Sequence, residues 1–156
     1  MKTILFFLFI SISSFSQNLE SIKKSDTVYI YFNYGKYEKY SNIGGTLDEK
    51  KIITYLYQYY LDKENFINFT SRNYRDFDDL LAGKKTDVKT VRKKFLRKNK
   101  EKILDINFFL KNGFLETFNA LYIPKKVIYL IDSKEIKGRN ITLKEVTMDA
   151  SNFTPE

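Results

Sequence analysis

The chain has no histidine and no cysteine among its 156 residues. The first absence removes Ser-His-Asp and Cys-His hydrolysis, and every mechanism that needs an imidazole as general base. The second removes disulfides, and the two together remove the usual zinc sites, which are built from imidazole and thiolate ligands. A lipid anchor on an N-terminal cysteine is excluded as well. No apolar stretch reaches the ~20 residues that a membrane-spanning helix needs. Catalysis, if present, falls to carboxylates, lysine, tyrosine, serine or an oxygen-ligated metal, and the sequence calls for no cofactor.

What is present begins with an export pattern. Lys2 gives a positive start, Ile4 to Ile10 is unbroken apolar sequence, and Ser14-Phe15-Ser16 places small residues at the −3 and −1 positions of a cleavage site. A charged start, a short apolar core and a small-x-small exit are the three parts of a secretory signal. The expectation is a signal peptide over 1–16, cleaved near Ser16. One globular domain over 17–156 with a frayed C-terminal tail would remain, periplasmic or secreted. A domain of about 140 residues buries a sufficient core without staples.

Periodicity then reads along the chain. Asp26 to Tyr34 alternates, with Val28, Ile30 and Phe32 on one face and Tyr29 and Tyr31 on the other, which predicts a strand. Gly35-Lys36 turns it back toward a short strand near Tyr37–Tyr40, and Asn42 to Thr46, with its two glycines, reads as a loop. Residues 52–61 and 66–74 read as a β-hairpin, with a helix over 47–61 as the alternative because Thr46 and Glu49 match a capping box. Asp76 to Gly83 reads as a helical turn closed by glycine. Val88, Val91, Phe95, Ile103, Ile106 and Leu110 share a helical face, predicting one long helix over 88–111 or two with a break near 99–104. A further helix runs from Phe114 to Pro124, and strands follow at 127–131 and 141–147. Strands, a helical block and strands again give an α+β domain: a mainly antiparallel sheet of about five strands packed against a central helical block.

Acidic candidates are weak. Asp76, Asp78 and Asp79 are dense enough for a hard cation but lack the spacing and central glycine of a calcium loop, and acids at a helix start have an ordinary dipole explanation. Glu38, Asp48, Glu49, Glu116 and Asp132 are available for glycoside chemistry, but nothing in the sequence pairs any two of them. Gly44-Gly45-Thr46 lacks the lysine of a phosphate-binding loop. Nine of the twelve tyrosines lie between Tyr29 and Tyr60. On strands they form rows that either bind a ligand or cover a sheet face.

The basic segment differs in kind. Lys84 to Lys102 holds ten basic and two acidic residues, a net of +8. The chain from Gln17 onward has 26 basic and 19 acidic residues, or +7, so everything outside the segment is nearly neutral at −1. The candidate anion-facing surface comprises Lys89, Lys93, Lys94, Arg97, Lys98 and Lys100, with Val88, Val91 and Phe95 turned inward. Like charges this close repel one another, and an anionic partner relieves the repulsion. Phe95 is the lone aromatic of the segment, so specific nucleic-acid binding through base stacking is not expected. These features suggest a small exported, soluble, non-catalytic binding domain whose partner is an anionic envelope component or another exported protein. The alternatives are a carboxylate- or metal-dependent hydrolase acting on glycan or phosphodiester, and a structural or inhibitory partner of another exported protein.

Overall fold

The computed structural model describes residues 18–47, 50–62, 65–73, 77–83, 86–122 and 126–151. Five helices and eight strands follow in the order α1 (Leu19–Lys24), β1 (Thr27–Phe32), β2 (Glu38–Leu47), β3 (Lys50–Tyr60), β4 (Phe66–Arg72), α2 (Phe77–Leu81), β5 (Val88–Arg92), α3 (Lys94–Lys98), β6 (Ile103–Leu104), α4 (Ile106–Asn112), α5 (Phe114–Leu121), β7 (Val127–Asp132) and β8 (Asn140–Ser151). The strands join in one sheet of order β2-β3-β4-β8-β7-β1-β6, with β5 also on β8. β1 runs parallel to β7 and β6, and the other five pairings are antiparallel. The domain is therefore α+β with a mostly antiparallel sheet. The sheet is mixed and has eight strands, not about five, because β5 and β6 come from sequence that reads as helix and β2 runs through a stretch that reads as loop.

β8 joins the two halves of the sheet. Its first part takes β5 on one edge, with Val91 opposite Ile141, and β7 on the other, with Leu130 opposite Lys144. Its last part takes β4, with Asp149 opposite Asn68 and Ser151 opposite Phe66. The tail expected to fray from Asp149 is thus strand as far as Ser151, because β4 supplies its ladder; the rest lies outside the described residues.

β1 shows why this sequence makes this sheet. Val28, Ile30 and Phe32 are fully buried while the intervening Thr27, Tyr29 and Tyr31 are half-buried. A strand presents successive side chains to opposite faces, so both faces of β1 are covered. β7 repeats this: Ile128 and Leu130 join one core, Tyr129 and Ile131 the other. The larger core sets Ile22 of α1, Phe108 and Phe109 of α4, and Phe114, Ala120 and Leu121 of α5 against Val28, Ile30, Phe32, Tyr57, Tyr59, Ile67 and Phe69. Each fully buried side chain of this size contributes roughly 1.5–3 kcal/mol.

The helices are short, and the block that α1, α4 and α5 form against the larger core is small. Asn18 caps α1 by accepting from the Glu20 N–H, and Asp105 caps α4 by accepting from the Phe108 N–H. Lys126 donates to the carbonyls of Ile22, Lys23 and Ser25 at the end of α1, and burial there pushes its pKa down. Gly113 separates α4 from α5 at φ +86°, a left-handed conformation that suits glycine. A Cβ there would also meet the Glu116 carboxylate.

Several other expectations change. The hairpin is observed as β3 and β4, the second strand ending at Arg72 and Tyr74 lying outside the described residues, so the helical alternative fails; Tyr and Ile between two partner strands outweigh the capping signal. Asn42 to Thr46 is strand, not loop, and β2 pairs with β3, not back onto β1. Residues 88–92 are strand, not helix; the break near 99–104 is real, and helix resumes at Ile106.

Candidate functional site

From Val88 the basic segment folds as β5, α3 and a single 3-10 turn over Lys100–Lys102, while Lys84 and Lys85 lie outside the described residues. β5 is held by its ladder to β8, and the Lys93 N–H donates to the Arg139 carbonyl at 2.7 Å where the chain leaves the strand. Phe95 and Leu96 of α3, with Val91 of β5, pack on Tyr129, Ile131, Ile141 and Leu143, the smaller core on the face opposite α1, α4 and α5. Phe95 meets Tyr29 edge to face, and Tyr29 stacks on Tyr129. The Asn99 side chain donates to the Phe95 carbonyl at 3.0 Å and closes α3. Val91 and Phe95 therefore face inward as expected, whereas Val88 does not: in a strand it falls on the outer face and is 58% exposed.

Between β5 and α3 lies a hollow of about 670 Å³ lined by Val91, Arg92, Lys94, Phe95, Arg97 and Lys98. Val91 and Phe95 are half-buried and make its floor; the four cationic residues are exposed and make its rim. Among the described residues no acidic residue lines it. Lys94, Arg97 and Lys98 of the expected surface thus converge on one place. Arg92, the last residue of β5 and outside the expected surface, joins them. Lys93 precedes α3 and Lys100 follows it, both exposed and neither lining the hollow.

Lys89 has a different use. Its ammonium donates to the Asp87 carboxylate at 2.7 Å and to the Tyr129 hydroxyl at 2.6 Å, and that hydroxyl donates to Asp87 at 2.9 Å. The Asp87 carboxylate first, then Tyr129, hold the Lys89 pKa above the usual lysine range. This trio fastens β5 to β7, so Lys89 serves a structural contact.

A second polar constellation lies at the carboxyl ends of β1 and β7. Asp132, 4% exposed, accepts from the hydroxyls of Tyr34 (2.8 Å) and Tyr57 (3.1 Å) and from the Lys134 N–H (2.9 Å). Lys144 donates to Tyr57 at 3.2 Å and pairs with Glu135. The Lys134 ammonium stands 3.5 Å from the centre of the Tyr34 ring. Tyr34 adopts φ +61°, a costly conformation for a bulky side chain. It is held there by the buried Glu38 carboxylate, which accepts from the N–H groups of its neighbours Asn33 and Gly35. Burial first, and Asp132 next, push the phenols of Tyr34 and Tyr57 well above the ordinary tyrosine range. The groups of this network satisfy one another and tie β1, β3, β7 and β8 together.

The tyrosine rows are partly interior: Tyr29, Tyr31 and Tyr55 are half-buried and Tyr40 is exposed. Tyr57 and Tyr59 are fully buried, and the Tyr59 hydroxyl donates to the Tyr31 carbonyl at 2.7 Å. Asp78 and Asp79 lie in the first turn of α2, while Asp76, Asp48 and Glu49 lie outside the described residues. Among the described residues no group of three or more carboxylates converges as a metal site, and no helix is long and apolar enough to cross a membrane. Comparison with protein-family models, with curated proteins and with solved structures finds no match to the chain.

Proposed function

We propose that the chain is exported through its N-terminal signal, and that the domain over 17–156 is a non-catalytic module that binds an anionic component of the cell envelope. The observation that carries this reading is the convergence of Arg92, Lys94, Arg97 and Lys98 on one hollow that no acid among the described residues lines. Clustered like charge raises the local concentration of anions and speeds their association. Outside the segment Lys84–Lys102 the chain from Gln17 onward is close to neutral, so the positive charge is local to the segment that holds this surface.

The test is retention on anionic liposomes against neutral ones across a salt series. The protein is expected to bind at low salt and to be released steeply as the screening length shrinks from about 30 Å at 0.01 M to about 8 Å at 0.15 M. The triple variant Lys93→Glu, Lys94→Glu, Arg97→Glu loses retention. Equal binding by parent and variant, or none by the parent at low salt, refutes the reading.

A further inference from the structure

We propose that the hollow between β5 and α3 seats the apolar tail of a single-tailed anionic amphiphile, one molecule at a time, with its headgroup among Arg92, Lys94, Arg97 and Lys98. The inference rests on the anion-binding reading above and names the class of ligand.

Two features must be explained together. A surface that only gathers polyanions has no use for an apolar floor, yet Val91 and Phe95 line the hollow between the cations. A pocket for a neutral apolar molecule has no use for a rim of one charge. An anion with a hydrocarbon tail matches both. The volume, about 670 Å³, lies within the roughly 300–1,000 Å³ of sites that take small organic ligands. Arginine and lysine suit the walls because their methylene stems cover apolar surface while their charged ends stay in water. The floor is also fixed before a ligand arrives: Phe95 is held edge to face on Tyr29 and packs with Val91 on the smaller core. A preformed floor lowers the ordering cost of binding.

The experiment is calorimetric titration of the purified protein with hexyl, octyl and decyl phosphate, each below its micelle-forming concentration, with inorganic polyphosphate as the tail-less anion. Each added pair of methylenes is expected to tighten binding by roughly tenfold until the hollow is full. Val91→Thr, which exchanges a methyl for a hydroxyl at nearly constant shape, flattens that series. Lys94→Glu with Arg97→Glu weakens the alkyl phosphates and polyphosphate alike. If polyphosphate binds and affinity does not change with chain length, the seat for the tail is refuted and the anion-binding surface stands. If anionic vesicles bind but monomeric alkyl phosphates do not, the one-molecule site is refuted. If no anion binds at low salt, both readings fall.

Discussion

The Tyr29 and Phe95 rings meet edge to face, their centroids 4.9 Å apart and their planes at 88°. Tyr29 belongs to an interior strand and Phe95 to the most basic helix, so this pair fixes the cationic rim relative to the sheet. Such a pair contributes about 0.5–1.5 kcal/mol beyond the area it buries. Phe95→Ala is expected to cost about 2–3 kcal/mol, below the ~3–5 kcal/mol of a fully buried phenylalanine because Phe95 is half-buried. Urea unfolding measures that loss, and anion retention falls with it because the floor is removed.

Leu130 and Val88 form a matched pair of tests. Leu130 is fully buried on β7, while Val88 is 58% exposed on β5. Leu130→Ala should cost about 2–5 kcal/mol, and Val88→Ala should lie within about 0.5 kcal/mol of the parent, as surface substitutions do. A large loss at Val88 would restore the helical reading of 88–92.

The buried phenols predict alkaline sensitivity. The folded pKa values of Tyr34, Tyr57 and Tyr59 lie above the ordinary value, which is about 10. Above that pH the unfolded chain releases these protons while the folded chain retains them, so the unfolded state binds fewer protons and stability falls as pH rises. The contribution is complete below about pH 10 and is lost as the pH climbs through the folded values. Tyr57→Phe is expected to make the fall shallower. Stability measured by denaturant between pH 8 and pH 11.5 checks the slope.

Export predicts a chain that begins at Gln17 or Asn18 when the protein is recovered from its native host, as read by intact mass. Asn18 is the cap of α1, so a chain starting at Gln17 keeps that contact. It should unfold at the same denaturant concentration as the longer form, whereas Asn18→Ala should cost about 1 kcal/mol. Intact Met1 in a cytoplasmic fraction would contradict export.

The elements legible in the sequence are those whose burial pattern matches their own period. β1 alternates, β7 is apolar on both faces, and α5 repeats at helical spacing, so each reads correctly. β5 misleads because Val88, Val91 and Phe95 are spaced i, i+3, i+7 by coincidence: Val91 faces the core from a strand, Phe95 does so from a separate helix, and Val88 faces solvent. β2 misleads because its paired glycines resemble a loop, while β3 supplies a ladder that their lack of side chains does not disturb. The charge of the basic segment was visible from composition. The hollow was not, since it needs Arg92 on a strand beside Arg97 on a helix. The left-handed Tyr34 leaves no sequence signal, because the Glu38 carboxylate that holds it acts through backbone N–H groups.

The most direct measurement is the backbone amide spectrum of the protein titrated with decyl phosphate at low salt. The account predicts shifts concentrated in Val88–Arg92 and Lys94–Lys98, with Val91 and Phe95 among the largest and β2 and β3 unmoved. Shifts centred on the Tyr34, Tyr57 and Asp132 network, or no shifts at all, would contradict it.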